Sequence, residues 1–149
     1  MQVFNDCTTQ YITSDLIDDF VDAFPTPDFT LSFSTSCGCS GESTEVELEP
    51  ADIAVLVAPN RYTINLAVGI HNIKLIKRDG ATTTIDSLCY FNQCGVECDI
   101  VELVAAGNHD AWKYFEALRL VNECDSCTCE QACTIWEELS TILNQSPCA

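Results

Sequence analysis

From Phe29 onward the apolar residues of this chain change their spacing once, and that change limits the fold more than any other feature. Between Phe29 and Phe91 they recur at every second position, as in Phe29, Leu31 and Phe33, or in Tyr62, Ile64, Leu66 and Val68. After Cys98 they recur at three and four, as in Ala111, Phe115, Leu118 and Val121. Period two belongs to a strand with one buried face and a period near 3.6 to an amphipathic helix, because side chains alternate across a strand and wind around a helix. Strands followed by helices predict an α+β fold.

The strands are short and separated by turn signals. Phe29 to Ser34 alternates, Cys37-Gly38-Cys39-Ser40-Gly41 supplies a turn, and Glu45-Val46-Glu47-Leu48-Glu49 alternates again until Pro50 ends it. The apolar run Ile53-Ala54-Val55-Leu56-Val57 reads as a strand covered on both faces. After Tyr62 to Val68, Gly69 precedes a further strand through Ile76, and Arg78-Asp79-Gly80 turns the chain, since Asp-Gly tolerates the positive φ of a tight hairpin. Thr82 to Phe91 returns.

Before this body, Leu16, Ile17, Phe20, Val21 and Phe24 fall on one face of a helix over 14–24, with Ser14 as N-cap and Pro25-Thr26-Pro27 as the stop. Asp15, Asp18, Asp19 and Asp22 on it lack the spacing and the glycine of a calcium loop and read as a solvated face. After the body come three apolar sets: Ile100, Val101, Leu103 and Val104; the Ala111 set with Trp112; and Ala132, Ile135, Trp136, Leu139, Ile142 and Leu143. Both tryptophans are expected to anchor the core. The prediction is one domain over 1–149, with an antiparallel β-sheet or small β-sandwich at 29–92, one short N-terminal helix, and a helical, cysteine-rich segment at 97–145.

At 149 residues and 47% apolar composition, the chain is long enough to build a core without cross-links. Its 23 carboxylates against six Lys and Arg leave a net charge of −17, which disfavours binding to phosphate backbones and anionic membranes. No nucleic-acid or membrane partner is therefore expected. No basic residue precedes Arg61, and Arg61, Lys74, Lys77 and Arg78 then follow closely, which suits either an asymmetric particle or interface or a solvated strand edge guarded by lysines. Met1-Gln2-Val3-Phe4-Asn5-Asp6 has neither the basic nor the apolar region of a signal peptide. The chain is expected to fold in a cytosol, where lasting disulfides are uncommon.

Eleven cysteines stand against that expectation, and four of them, Cys124, Cys127, Cys129 and Cys133, fall within ten residues. Cys89, Cys94 and Cys98 form a second group where the last strand gives way to the first C-terminal helix, with Gly95 allowing a sharp bend. A clip between the groups can be disulfide, zinc held by thiolates, or mutual burial of free thiols. Compartment and spacing favour free or buried thiols over disulfides, and disulfides over metal. Cys37-Gly38-Cys39 is too tight to bridge within itself. No Cys-x-x-Cys-His haem motif or recognised iron–sulfur spacing occurs, so no cofactor is expected, with structural zinc as the alternative.

Catalysis has little to work with. His71 shares a strand face with Ile73 and Leu75 and reads as a hydrogen-bonded histidine at the core edge; His109 sits in the corner Gly107-Asn108-His109-Asp110 as a surface residue at a helix start. No Walker loop, dinucleotide fingerprint, Gly-x-Ser-x-Gly elbow or His-Glu-x-x-His is present, and an enzyme is not expected.

The passages Tyr62 to Leu75, closed by Asp79-Gly80, and Thr84 to Phe91 resemble the small β-rich structural proteins of tailed-bacteriophage virions. The cysteine-studded helices ending Cys133-Thr134-Ile135-Trp136-Glu137-Glu138-Leu139 are similar in style to small acidic virion proteins of large tailed phages. The resemblance extends over residues 29–143 and carries no functional residue with it. It implies a non-enzymatic virion subunit, located in the particle and assembled in the host cytoplasm, that associates with its own copies and with other virion proteins in a neck, head–tail connector, tail ring or capsid decoration. The alternative is a cysteine-stapled or zinc-stabilised binding module outside a virion. A thiol redox activity would require a reactive cysteine of low pKa.

Overall fold

The computed structural model describes residues 1–23, 29–37, 43–54, 60–124 and 129–144. Within them the fold is α+β, with two four-stranded antiparallel sheets and four helices. The strands are β1 (Gln2–Asn5), β2 (Gln10–Thr13), β3 (Phe29–Cys37), β4 (Thr44–Glu47), β5 (Ile53–Ala54), β6 (Arg61–Ile64), β7 (Gly69–Asp79) and β8 (Thr82–Asn92). The helices are α1 (Asp15–Ala23), α2 (Val96–Ala105), α3 (Asp110–Val121) and α4 (Cys129–Ile142). One sheet runs β1-β2-β6-β5 and the other β4-β3-β7-β8.

The chain groups into two compact units. The first comprises 1–35, 43–66 and 73–88, and the second 36–42, 67–72 and 89–149, so β7 and β8 each contribute to both.

The first unit contains a hairpin that the period-two reading missed. β1 pairs with β2 in the register Val3↔Ile12, and β2 pairs with β6 through Ile12↔Tyr62. Its turn is built by side chains: Asp6 Oδ1 accepts the N–H groups of Thr8 at 2.9 Å and Thr9 at 2.6 Å, while Asn5 Oδ1 accepts that of Cys7 at 2.9 Å. Those bonds favour the ionised carboxylate and lower the Asp6 pKa, and they hold Cys7 at φ +68°, a conformation that few residues other than glycine adopt. α1 then begins as its sequence indicates. Ser14 Oγ accepts the N–H of Leu16 at 3.2 Å, and Leu16, Ile17 and Phe20 are buried.

In the other sheet, β3 pairs with β4 in the register Phe33↔Val46. Alternation placed Val46 and Leu48 together inside, yet Val46 is 48% exposed and Leu48 is buried. The Leu48 N–H still donates to the Leu31 carbonyl of β3 at 2.8 Å before the 3-10 turn Pro50–Asp52, and of the two only Leu48 reaches the core. The strand expected at 53–57 is described only as Ile53–Ala54; residues 55–59, the turn expected after Cys37 and the Pro25-Thr26-Pro27 stop lie outside the described residues. The hairpin between β7 and β8 forms at Asp79-Gly80, with Gly80 at φ +58°.

Three of the four basic residues of this unit are engaged. Arg61 lies over the Tyr11 ring at 4.2 Å, Lys77 pairs with Asp19 at 3.4 Å, and Arg78 pairs with Glu45 at 2.9 Å.

The second unit is organised around Phe91, whose side chain is fully buried. Its ring meets Trp136 of α4 at 5.6 Å and Phe115 of α3 at 6.2 Å, with Ile100, Leu118 and Leu139 in the same cluster. Gly95 at φ +80° makes the bend into α2. α2 ends in a Schellman motif, with Gly107 at φ +100° and bonds from Gly107 N to Val104 O at 3.0 Å and from Asn108 N to Leu103 O at 2.9 Å. Trp112 corrects one expectation: it is 37% exposed and lies against the rim of Phe115 at 6.0 Å, because Ala111, Phe115 and Leu118 already fill the buried face of α3. Trp136 is the core anchor.

Candidate functional site: a cysteine clip

Cys89 lies near the end of β8 and Cys129 opens α4, and the two are joined by a disulfide. Forty positions separate them in sequence, and their Cα atoms are 5.3 Å apart, within the usual span of a bridge. Each arrives by a different route. β8 alternation turns Cys89 inward with Phe91, and α4 sets Cys129 one turn ahead of Cys133 on the face that carries Trp136 inward.

β7 supplies the third side. Cys129 Sγ is 3.6 Å from the carbonyl oxygen of His71. A thiol there would donate a weak S–H···O bond; the disulfide sulfur carries no proton, so the oxidised clip has a packing contact at this point.

The His71 ring is tied elsewhere. Its Nε2 lies 2.7 Å from the Ala67 carbonyl, and since a carbonyl only accepts, Nε2 donates. Asn92 Nδ2 donates to the same oxygen at 3.2 Å, and Asn92 Oδ1 accepts the N–H of Cys94 at 3.2 Å. His71 is 9% exposed; burial lowers its pKa, and the Ala67 hydrogen bond opposes that shift only in part. The imidazole is therefore a neutral structural donor, as its place beside Ile73 and Leu75 led one to expect. His109 is exposed at the start of α3, beside an open depression formed with Ala106, Gly107, Asn108 and Asp110.

The seven cysteines of the expected clip divide as follows. Cys89 and Cys129 bridge each other, and Cys94, Cys124 and Cys133 are also disulfide-bonded, as is Cys7. Cys98 is a correction: it is a free thiol, exposed on α2, and takes no part in a disulfide. Cys127 lies outside the described residues, as do Cys39, Cys148 and the side chain of Cys37. Preference for free or buried thiols over disulfides is overturned as well. The zinc alternative needs thiolates, and a sulfur in a disulfide is not one, so oxidised Cys89 and Cys129 are unsuited as zinc ligands. Among the described residues, no group of three or more His, Cys, Asp or Glu is placed to hold a metal ion.

Sequence reasoning missed Asn122. Its Oδ1 accepts the N–H of Phe91 at 2.8 Å and its Nδ2 donates to the Phe91 carbonyl at 3.0 Å. A carboxamide one residue past α3 leaves no periodic trace. Tyr114 was passed over too; its hydroxyl donates to the Glu138 carboxylate on α4, and the hydrogen bond together with that negative charge raises the phenol pKa.

Comparison with family models, with curated proteins and with solved structures finds no match to this chain. No helix among the described residues is long and apolar enough to cross a membrane.

Proposed function

We propose that this chain is a non-enzymatic structural subunit of a tailed-phage virion, one copy among several in a symmetric assembly such as a neck, head–tail connector, tail ring or capsid decoration. The observation that carries the reading is the clip from β8 to α4. Cys89 and Cys129 are committed to holding β8 to α4, and His71 and Asn92 to holding the Ala67 carbonyl beside β7. A particle protein needs persistence and no turnover. Disulfides last once a particle has left a reducing cell, and a charge of −17 suits a subunit that must not grip passing DNA. Purified particles from the native source test this. The chain should sediment with them in constant stoichiometry; a monodisperse monomer that never accompanies a particle overturns the proposal.

The second reading is an exported, disulfide-stapled binding module outside a virion. Oxidation of Cys7, Cys94, Cys124 and Cys133 in addition to the clip favours it, because lasting disulfides accumulate in oxidising compartments. Intact mass of the native material with and without reductant, with metal analysis, discriminates. A fully reduced chain removes the disulfide-stapled module, and bound zinc would point to the metal-stabilised form instead.

A further inference from the structure

We propose that the outer edge of β8, from Thr82 to Leu88, pairs antiparallel with the same edge of a second copy of this chain. Among the described residues β8 ends its sheet, with β7 on one side and no strand on the other. Asn122 reveals which backbone groups face outward: it holds both the N–H and the C=O of Phe91, so these point away from β7. Backbone groups alternate along a strand, and the same direction therefore belongs to Ser87, Ile85 and Thr83. All three are exposed, Ile85 by 57%.

Charge selects the occupant. In a chain of −17, two copies can approach only where the surface is locally neutral, and from Thr82 to Leu88 the single charged residue is Asp86. Asp86 is compensated within its own chain, by the Met1 ammonium at 3.0 Å and the Ser14 hydroxyl at 2.7 Å. The other end of the sheet is guarded, since β4 reads Thr-Glu-Val-Glu with every residue exposed. Glutamates on an edge repel a second acidic strand, and β8 has no such guard, no proline and eleven residues of length.

A two-fold axis through Ile85 satisfies the geometry. It sets Ile85 against its counterpart and Thr83 against Ser87, gives about six N–H···O bonds, and places Asp86 opposite Thr84 and away from the other Asp86. Ile85, 57% exposed in the single chain, gains an apolar neighbour.

The pairing stands on the sheet edge alone and does not depend on the virion reading. Sedimentation of the full chain over a concentration series should show a dimer whose fraction rises with salt, as screening weakens the repulsion between acidic copies. Ile85→Pro removes the outward N–H, which an edge strand tolerates, and Ile85→Lys sets two like charges at the axis. Both should abolish the dimer boundary with the circular dichroism unchanged. A wild-type chain that is monomeric at every concentration and salt, or a dimer undiminished in both variants, overturns the proposal. Should both variants fail to fold, amide exchange in the wild-type chain decides: protection at Thr83, Ile85 and Ser87 that increases with protein concentration supports the pairing, and concentration-independent exchange overturns it. Co-sedimentation with particles is a separate readout, so the two proposals fail independently.

Discussion

Asn122 acts as a one-residue strand toward Phe91: its carboxamide accepts the Phe91 N–H and donates to the Phe91 C=O, at 2.8 and 3.0 Å. Gln10 makes the same two-point contact with Leu66, accepting its N–H at 3.1 Å and donating to its C=O at 3.2 Å. A side-chain amide has the donor and acceptor spacing of a peptide group, so it can close a backbone pair where no strand continues. Phe91 is fully buried, and Asn122→Ala would leave its peptide groups without those partners. The variant should lose about 1–3 kcal/mol in urea unfolding. Asn122→Asp keeps the acceptor but sets a carboxylate oxygen against the Phe91 carbonyl, and should not restore the loss.

Breaking the clip should be costly through the unfolded state. Cys89 and Cys129 close a loop of 40 residues, for which the chain-entropy model gives an upper value of about 4 kcal/mol. Cys94 and Cys124 lie inside that loop and are also disulfide-bonded. Replacing Cys89 and Cys129 together by serine should therefore reduce stability by about 2–4 kcal/mol, read as a lower midpoint in guanidinium under oxidising conditions. Under reductant the difference from wild type should shrink.

His71 should make stability depend on pH in a defined window. Its folded pKa lies below the unfolded value of 6.5, so the unfolded chain binds the proton first as pH falls. The contribution of the neutral imidazole is complete above about pH 6.5, declines as pH falls below it, and is exhausted once pH has passed the folded pKa. Paired thermal melts of wild type and His71→Gln across this range should converge toward low pH. A constant gap between the two curves would show that His71 does not titrate with folding.

The tryptophans should separate. Trp136 is 1% exposed against Phe91, and Trp136→Ala should cost about 3–5 kcal/mol, whereas Trp112, at 37% exposed, should cost well under half of that. Chemical unfolding of the two variants measures the contrast.

Thiol labelling gives a direct check on the cysteine assignment. Among the described cysteines, native unreduced protein should take up alkylating reagent at Cys98 alone, because it is the exposed free thiol and the others are in disulfides. Peptide mapping that found label on Cys89 or Cys129 would contradict the clip.

Several elements are written in short stretches of sequence. β7 and β8 follow from two alternating runs about Asp79-Gly80, α1 from Ser14 and its apolar face, and α2's entry and exit from Gly95 and Gly107. β1 and β2 escaped because four residues each are too few to show a period, and their turn is made by Asp6 and Asn5 instead of by glycine. Exposure of Val46 and Trp112 escaped as well, since alternation and helical spacing mark a face without saying where its neighbours stop.

The sequence by itself determined the class of fold, the strands from Phe29 to Phe91 ahead of the C-terminal helices, and the place of His71 as a hydrogen-bonded residue at the core edge, because period, turn chemistry and capping are properties of adjacent residues. Only the tertiary structure decided that Cys89 meets Cys129 while Cys98 stays free, that Phe91 is closed by Asn122, and that β2 pairs with β6. Each of these joins positions 31 to about 50 residues apart, and such contacts depend on where the strands and helices come to rest, which no local pattern encodes.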